Sequence, residues 1–412
     1  MGYFIADFHI HSKYSRATSK DMDVENLSKW AKIKGVSLLG TGDFTHPDWM
    51  KELNEKLEPA GTGIFKHSYT YYILTAEVSN LYFKFGKSRK VHNIIFAPDF
   101  KVAQEVNTYL RAYGDLKVDG RPMLQLECEK MIKAFSEISP DIFVVPGHIW
   151  TPWFSLFGSN SGFDSIEECF GRETGRIFAL ETGLSSDPAM NWRCSQLDRF
   201  ALVSNSDSHS PSKIGREANV FKEMFDYKDL MEILKQKDKD KFLFTVEFFP
   251  EEGKYHWDGH RNCNARLSPK ESKKVNERCP VCGRRLTVGV MHRVDDLADR
   301  EEGFVPENRV PFKNLVPLDE IIAEAMGIGK ETVGVEREYN SLIQRLGNEF
   351  GILLEIPETE LVNNCSPRIA KGIIKVRNGE VEVTPGYDGE YGKVKIFKEG
   401  EEGKGEKQLS FF

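Results

Sequence analysis

A stretch near the start of the chain, ADFHIHSKYS at residues 6–15, decides the fold. It continues the apolar, β-prone run at residues 3–5, which predicts a strand that ends at the histidines. Side chains two positions apart in a strand lie on the same face, so His9 and His11 are expected to point the same way. Two neighbouring imidazoles can chelate a metal ion, but two polar residues can also simply bond to backbone groups. The rest of the chain has to decide between these interpretations.

Seven β-like runs precede residue 215, and helix-like segments at 24–34, 104–113 and 127–138 lie between several of them. Alternating strands and helices indicate parallel strands with crossover helices. Seven such units favour a closed (β/α) barrel over a small open sheet, so we predict an α/β protein with a seven-stranded barrel. The seven runs are YFIADFHIH, VSLLGTGDF, YYILTAEVS, VHNIIFAPD, DIFVVPGHIW, IFALETGLSS and FALVSNSDSH.

Most of these runs end in a side chain that can bind a metal. In (β/α) barrels the carboxyl ends of the strands form the active-site face, so these side chains are expected to converge. Mixed histidine and carboxylate ligands suit zinc or manganese, and the sequence therefore predicts a metal cluster. The candidate ligands are His9, His11, Asp43, His46, Glu77, His92, His148, Asp207 and His209, of which His92 begins its run rather than ending it.

The ordered motifs FHIH, GDFTH, TAEVS, VHN, PGH and SDSH resemble those of the PHP (polymerase and histidinol phosphatase) superfamily over about residues 1–240. Members are metal-dependent phosphoesterases on a distorted seven-stranded barrel. The resemblance implies that Glu77, Asp207 and His209 take part in catalysis. It also implies three metal sites: His9, His11, Glu77 and Asp207 in the first; Glu77, His92 and His148 in the second; and His209 with His46 or Asp43 in the third.

One motif departs from the PHP pattern. The usual Asp-His pair after the second strand reads Asp43-Phe44 here, and the nearest histidine is His46. Clustered divalent cations, which include Mg²⁺ or Mn²⁺ as well as Zn²⁺, would activate water and neutralise a phosphate. Four cations near predicted active-face segments could hold phosphate oxygens, or could be ordinary surface charges. They are Arg172, Arg176, Lys213 and Arg216.

Residues 253–294 form a basic segment on an acidic chain. They hold ten lysines or arginines and three acidic residues, a net charge of +7, whereas the whole chain carries −7. Such a segment indicates contact with a polyanion at a defined place, although a solvated charged face has the same composition.

The same segment contains two pairs of metal-competent residues. His260-x2-Cys263 and Cys279-x2-Cys282 match zinc-ribbon spacing, with a histidine in place of one cysteine. We predict a structural zinc site, with His256 as the rival fourth ligand.

Four parts are expected along the chain. They are a PHP-like catalytic barrel at 1–240, a basic zinc-ribbon-like module at 241–300, an α+β C-terminal region at 301–397 and a disordered tail at 398–412. In the third part, RNGE at 377–380 suggests a hairpin turn. The tail ends in GEKQLSFF, which resembles a sliding-clamp (PCNA) peptide anchored by Leu409, Phe411 and Phe412. Alternatively, the two terminal rings pack back onto the parent domain.

Barrel, Cys/His module, GYDGEYG and charged tail together resemble archaeal endonuclease Q over essentially the whole chain. The resemblance implies a DNA repair endonuclease that cleaves 5′ to deaminated bases (uracil, hypoxanthine, xanthine) or abasic sites. A long loop at 147–171 fits such a substrate, because exposed aromatic rings can stack on a flipped base. Trp150, Trp153 and Phe154 are the candidate base-pocket residues, although they could instead pack as core.

Two other functions compete. A small-molecule phosphatase like histidinol-phosphate phosphatase would share the barrel but would not use the basic module. A DNA-binding scaffold with a degenerate barrel is opposed by the near-complete ligand set. Seven scattered cysteines do not indicate a disulfide framework, and no run reaches transmembrane length, so we expect a cytoplasmic protein without a membrane partner.

Overall fold

A computed structural model describes residues 3–398 of the 412-residue chain. The predicted clamp peptide at Leu409, Phe411 and Phe412 lies outside the described residues, as does all of the predicted tail except Lys398. The predicted mixed α/β class is confirmed, because strands and helices alternate through the first half of the chain.

The strands are β1 (Phe4–Asp7), β2 (Leu38–Gly40), β3 (Glu58–Gly61), β4 (Ile64–His67), β5 (Thr70–Lys84), β6 (Lys87–Ala97), β7 (Met123–Leu124), β8 (Phe143–Pro146), β9 (Ala179–Glu181), β10 (Ala201–Val203), β11 (Ala218–Phe221), β12 (Phe242–Glu247), β13 (Asp258–His260), β14 (Ala265–Leu267), β15 (Phe312–Asn314), β16 (Glu382–Thr384) and β17 (Lys393–Lys395). The α-helices are α1 (Val24–Lys34), α2 (Pro47–Lys56), α3 (Phe100–Leu110), α4 (Cys128–Ile138), α5 (Ile166–Phe170), α6 (Pro188–Asn191), α7 (Tyr227–Gln236), α8 (Pro269–Lys274), α9 (Val290–Leu297), α10 (Leu318–Met326), α11 (Val333–Leu346), α12 (Glu358–Asn364) and α13 (Pro367–Arg377).

All seven predicted runs contain strands, namely β1, β2, β5, β6, β8, β9 and β10. Eleven strands form one mixed sheet, in which β1, β2 and β5 are parallel neighbours. The β5–β6 and β6–β8 pairs are antiparallel, so the strands do not all run in one direction as a simple (β/α) repeat would. One buried hydrophobic cluster takes side chains from all seven strands or their immediate ends.

Regular strand pairing does not close these seven strands into a ring within residues 3–398. β9 and β10 form a separate two-stranded parallel sheet. Short contacts join this pair to its neighbours: Ile149 N donates to Glu181 O (3.1 Å) on one side, and His11 N donates to Ser208 O (2.9 Å) on the other. The two seams lie where the predicted ligands cluster.

Helix α1 shows how local sequence sets an element that packs beside the site. The Asp23 side chain accepts a hydrogen bond from Asn26 N at the amino end, and Gly35 ends the helix with a φ of 85°. Val24, Leu27 and Ala31 are buried on one face, as the helical repeat predicts. The predicted segment 24–34 therefore matches the observed helix.

The basic module and the C-terminal region are tied together. β13 and β14 form a short antiparallel hairpin, and the segment GYDGEYG returns to it from the end of the described chain. Asp388 accepts hydrogen bonds from Arg261 N (2.7 Å) and Thr287 Oγ1 (2.5 Å). The predicted hairpin turn at RNGE is wrong: α13 continues to Arg377, and Gly379 with a φ of 68° lies just past its end, as glycine commonly does after helices.

A buried ion pair joins α1 to the C-terminal helices. Lys34 Nζ and Tyr339 Oη each donate to Glu349 Oε2 at 2.6 Å, and Leu318 N donates to Glu349 Oε1 at 3.1 Å. Burial is tolerable because the carboxylate is fully hydrogen-bonded.

Tyr339→Phe should test this junction. It removes one donor to a buried charge, and we expect a loss of about 1–2 kcal/mol in the free energy of unfolding. Urea titration measures it, with Tyr69→Phe, an exposed tyrosine, as the control. Equal midpoints for the two variants would contradict the assignment.

Candidate active site

Four predicted ligands from three parts of the chain meet at the ends of β1 and β10 and on β5. His9, His11, Glu77 and Asp207 offer ligand atoms that lie within 4.8 Å of one another. Nε2 of His11 lies 3.2 Å from Glu77 Oε2 and 3.0 Å from Asp207 Oδ1. Nε2 of His9 lies 3.4 Å and 3.7 Å from the same two atoms.

The opposite ring nitrogens of the two histidines are held by carboxylates. Nδ1 of His9 donates to Glu181 Oε1 at 3.0 Å, and Nδ1 of His11 donates to Asp43 Oδ1 at 3.0 Å. A histidine whose Nδ1–H is bonded in this way presents the Nε2 lone pair, which is the usual arrangement in metal sites. Glu181, the last residue of β9, was not among the predicted site residues, although it ends its strand as the predicted ligands do.

The facing atoms fit a metal ion. His9 Nε2, His11 Nε2 and Asp207 Oδ1 are buried and have no hydrogen-bond partner among the described residues. Buried polar atoms without partners are costly, and a cation would satisfy all three. Ligands at about 2.0–2.2 Å from a tetrahedral ion lie roughly 3.3 Å apart, which the observed separations match.

Glu77 also faces a second group. Its Oε1 lies 2.6 Å from His92 Nδ1 and 3.1 Å from His148 Nε2, so the two carboxylate oxygens point to different groups. Burial would raise the pKa of Glu77, but His92 and His9 hold it well below its usual range. Burial lowers the pKa of His92 to about 4 against the influence of Glu77, so this imidazole is neutral and able to bind a metal at pH 7.

Three residues of the site have left-handed backbone conformations. The φ angles are 47° at Asp43, 28° at His148 and 47° at Asp207. Such conformations are unfavourable for residues other than glycine and cluster at functional sites. The strained backbone at these three residues therefore sets the direction of their side chains.

The members of the expected third site do not form a third group in the described chain. Asp43 is committed to His11, Ser12 and Ser15, and His46 Nε2 bonds to Lys117 O at 3.1 Å. His209 remains at the margin of the first group, with its ring centre 4.5 Å from that of His11. Phe44, which follows Asp43, is fully buried.

The four cations predicted to contact phosphate either lie away from the ligand groups or hydrogen-bond to a backbone atom. Arg172 and Arg176 precede β9, at the strand end opposite Glu181. Arg216 Nε donates to Ser206 O (2.8 Å) and so supports the loop of Asp207. Lys213 lines a cavity together with Glu349 at the junction with the C-terminal helices.

A different cation faces the ligands. Arg121 Nη1 donates to Glu77 Oε2 at 3.2 Å. Sequence reasoning missed Arg121 because it lies in an irregular segment without a motif.

The loop at 147–171 is largely core. Trp150 is buried, and its Nε1 donates to Asn191 Oδ1 at 2.8 Å, so this ring cannot stack on a base. Trp153 is 49% exposed and packs edge-on against Tyr255. The Phe154 ring lies 5.0 Å from the His92 ring, which leaves Trp153 and Phe154 as the aromatic residues of the predicted pocket that can reach a ligand.

The Cys/His residues of the basic module also converge. His260, Cys263, Cys279 and Cys282 offer ligand atoms within 4.8 Å of one another, and His260 Nδ1 lies 3.5 Å from Cys282 Sγ. His256, the rival ligand, is buried outside this group. Desolvation raises the pKa of Cys279, but backbone N–H groups of Cys282 and Val281 bring it down to about 7, which favours the thiolate that metals bind.

The structure closely resembles that of the lesion-specific endonuclease PfuEndoQ from Pyrococcus furiosus. The TM-score is 0.87, the sequences are 31% identical, and the match covers 97% of this chain and 96% of that chain. This chain belongs to the endonuclease Q family. A solved endonuclease Q complex with a 27-mer duplex substrate, which has an abasic lesion at the active site, matches with a TM-score of 0.84 and 32% identity over 97% of this chain and 98% of that chain.

Two further relatives of this endonuclease Q family member are known from sequence. The uncharacterized protein YqxK of Bacillus subtilis (strain 168) is 29% identical over 95% of this chain and 98% of its own length. The uncharacterized protein MJ0043 of Methanocaldococcus jannaschii is 34% identical over 60% of this chain and 31% of its own length, so the match spans less than a third of that protein. The family described as the MJ0043 C-terminal domain matches residues 317–380. Within residues 3–398, no helix has the length and apolar character needed to cross a bilayer.

Two buried glutamates, Glu217 and Glu247, lie beside the β9–β10 sheet. Thr245 Oγ1 (2.5 Å) and Thr182 Oγ1 (3.0 Å) donate to Glu247. Burial and the nearby Asp187 nevertheless raise the pKa of Glu247 to about 8, and burial beside Glu247 raises the pKa of Glu217 well above its usual range.

A folded-state pKa above the unfolded value means that protonation of Glu247 favours the native state. This stability is present below pH 4.5 and is lost as the pH rises through about 8. Glu247→Gln should therefore stabilise the fold by about 4 kcal/mol more at pH 9 than at pH 5, since a shift from 4.5 to about 8 spans about 3.5 pKa units and each unit corresponds to about 1.4 kcal/mol. Urea titrations at the two pH values measure this difference, and an equal effect at both would refute the pKa shift.

Proposed function

We propose that this chain is a metal-dependent DNA repair endonuclease that hydrolyses the phosphodiester 5′ to deaminated bases or abasic sites. The observation that carries the proposal is the convergence of His9, His11, Glu77 and Asp207 in a chain that matches endonuclease Q structures over almost its whole length. One of those structures has an abasic duplex at its active site. A small-molecule phosphatase is not favoured by these relatives.

The donor set suits Zn²⁺ or Mn²⁺, with Mg²⁺ as a further possibility in catalysis. Bound divalent ions would supply a hydroxide near neutral pH and neutralise charge on the phosphate. His9, His11, Glu77 and Asp207 would hold one ion, and Glu77, His92 and His148 a second. Glu181 and Asp43 fix the tautomers of His9 and His11, so these ligands need no reorganisation when the substrate arrives.

Arg121 and His209 line the margin of the ligand groups and remain available to the substrate. Arg121 carries a permanent charge that can bind a phosphate oxygen next to Glu77. His209 lies 32% exposed at its side chain, beside Asp207, and can bond to or exchange a proton with the leaving oxygen.

Arg121→Gln should lower cleavage of lesion DNA by about 10–100-fold, because a charged contact to the transition-state phosphate is lost. The metal content of the variant should stay that of the parent, since Arg121 is not a ligand. Single-turnover rates and elemental analysis give the two quantities. Unchanged cleavage would remove Arg121 from the site.

Lesion selection would come from a pocket at the loop at 147–171. A deaminated base has a carbonyl oxygen where the normal base has an amine, so a pocket of N–H donors beside Phe154 would accept the former and reject the latter. Damaged or mispaired bases also cost less to flip out of the duplex.

We further propose that the seven strands make a distorted (β/α)7 barrel of the PHP type at 1–240, followed by a zinc-ribbon-like module at 241–300 and a C-terminal region at 301–397. The shared buried cluster of the seven strands and the two short seams support the barrel. The compact His260, Cys263, Cys279, Cys282 group supports a structural zinc. The clamp peptide at Leu409, Phe411 and Phe412 stays a prediction.

A single assay separates the candidate functions. Labelled duplexes with and without one uracil or abasic site are incubated with the protein and Mn²⁺, Mg²⁺ or Zn²⁺, beside para-nitrophenyl phosphate. Nicking of only the lesion duplexes supports the proposal. Phosphate release without nicking would select the phosphatase, and binding without cleavage would select a scaffold.

A further inference from the structure

The β5–β6 hairpin extends well past the metal-ligand groups. Its strands pair continuously from Leu74↔Ala97 to Lys84↔Lys87. Phe83 lies six positions beyond Glu77 on β5, a distance of about 20 Å at ~3.3 Å per residue. This distance equals about six base-pair steps of DNA at ~3.4 Å each.

The face of the hairpin that carries the ligands continues to the tip. Alternate residues of β5 share a face, so Phe83 lies on the face of Glu77. The register pairs Ser79 with His92, which places Lys90 on the same face as His92. The Lys90 Nζ lies 5.0 Å from the centre of the Phe154 ring. We call Phe83, Phe85 and Lys90 the hairpin strip.

The tip of the hairpin contradicts two physical preferences. Phe85 and Gly86 form its two-residue turn with φ angles of 53° and 72°, a geometry in which Asn-Gly is favoured and a bulky side chain is strained. In addition, Phe83 is 72% exposed and Phe85 is 64% exposed. Two large exposed apolar rings, one of them at a strained turn, indicate a binding surface.

The charge of the hairpin identifies the partner. Residues 84–90, KFGKSRK, contain four cations, and no acidic residue occurs from 78 to 98. Lys84 pairs with Glu129 (3.6 Å) and Arg89 is buried, which leaves Lys87 and Lys90 for a partner. On a chain with a net charge of −7, this is a locally positive arm beside the ligand groups. Cations bind backbone phosphates, and apolar side chains are used against the minor groove, so rings next to cations suit duplex DNA.

We propose that the hairpin strip grips the DNA duplex about six base pairs from the cleaved phosphodiester. Lys90 contacts a backbone phosphate between the cleavage site and the hairpin tip. Phe83 and Phe85 lie against sugars and base edges in the minor groove. This inference rests on the proposed function, because it takes the lesion to be held at the Glu77 and His92 groups.

Two kinds of variant test the strip in the full chain. The double variant Phe83→Thr, Phe85→Asn removes both rings, keeps a strand-forming residue at position 83 and improves the turn preference at position 85, so its melting temperature should equal or exceed that of the parent. Lys90→Gln removes one charge. Lys228→Gln is the control, because Lys228 pairs with Asp141 (3.2 Å) at the end of β8 opposite His148.

Single-turnover cleavage of a long abasic duplex gives the half-saturating protein concentration and the maximal rate. For the double variant we expect the half-saturating protein concentration to rise about 10-fold and the maximal rate to stay within about 2-fold of the parent. Lys90→Gln should lower the slope of log affinity against log salt by ~1, whereas loss of the rings should leave that slope unchanged. Lys228→Gln should match the parent in all three.

Shortened duplexes locate the contact. Two shortened duplexes are compared, each ending about four base pairs from the lesion on a different side. On one of them the difference between the double variant and the parent should vanish, because the contacted base pairs are missing. On the other the difference should persist. If the parent cuts the long duplex and the double variant matches it, or if the difference survives both truncations, the hairpin inference is overturned. If the parent fails to cut lesion duplexes at all, the proposed function fails instead.

Discussion

Glu77→Gln is expected to lower lesion cleavage by ~10²–10³-fold or more, since metal activation of water fails without its ligands. Glu77 is the residue common to both ligand groups, with Oε2 facing His9 and His11 and Oε1 facing His92 and His148. The amide removes the negative charge and one acceptor oxygen while keeping the shape. Single-turnover rates and elemental analysis should show the loss of cleavage together with the loss of at least one metal per chain.

Glu247→Gln provides a matched control. Glu247 is also fully buried but belongs to neither ligand group, so its amide should leave cleavage and metal content at the level of the parent. Retained turnover and retained metal in Glu77→Gln would remove the bridging role of this carboxylate. A loss of cleavage at unchanged metal content would assign Glu77 a role other than holding the ions.

The double variant Cys279→Ser, Cys282→Ser should lose one zinc per chain and weaken binding of lesion DNA by about 10–100-fold. Structural zinc supplies most of the folding free energy of such small modules, on the order of 10 kcal/mol. Without it, the cations of residues 253–294 are no longer held in a fixed arrangement, and their phosphate contacts are lost. A lower melting temperature and a smaller salt dependence of DNA binding should accompany the change.

Cys365→Ser is the control for this variant, because Cys365 is half-buried in the C-terminal region and lies outside the Cys/His group. It should keep the zinc and the affinity of the parent. The metals of the Glu77 groups should remain in both variants. A double variant that holds as much zinc as the parent would show that the Cys/His group is not a metal site.

Much of the fold was predictable because its signals are local. The seven apolar runs all contain strands, and α1 has the predicted bounds because a capping aspartate and a terminal glycine mark its ends. The convergence of the first two groups of candidate ligands was predictable for a related reason. Their members end strands or lie on them, and side chains at neighbouring strand ends converge.

What the sequence did not predict depends on contacts between distant segments. Asp43 was one of two candidates, with His46, for the third site, and in the fold its carboxylate bonds to His11, Ser12 and Ser15. Trp150 was expected at the base pocket, but a partner at Asn191 draws it into the core. Arg121 carries no motif and becomes recognisable only when the chain brings it to Glu77. Glu181 ends a strand as the predicted ligands do, but its bond to His9 is visible only in the fold. The antiparallel β5–β6 hairpin likewise depends on a Phe-Gly turn that is not a usual hairpin signal.

The central claim is tested most directly by measuring where the DNA is cut and whether the cut depends on added metal. The protein is stripped of metal with a chelator, reconstituted with Mn²⁺ or Zn²⁺, and given a duplex labelled on both strands with one abasic site, beside the same duplex without it. We expect one nick, immediately 5′ to the lesion on the damaged strand, that appears only after reconstitution. Equal cutting of the undamaged duplex, or nicking by the metal-free protein, would contradict the account.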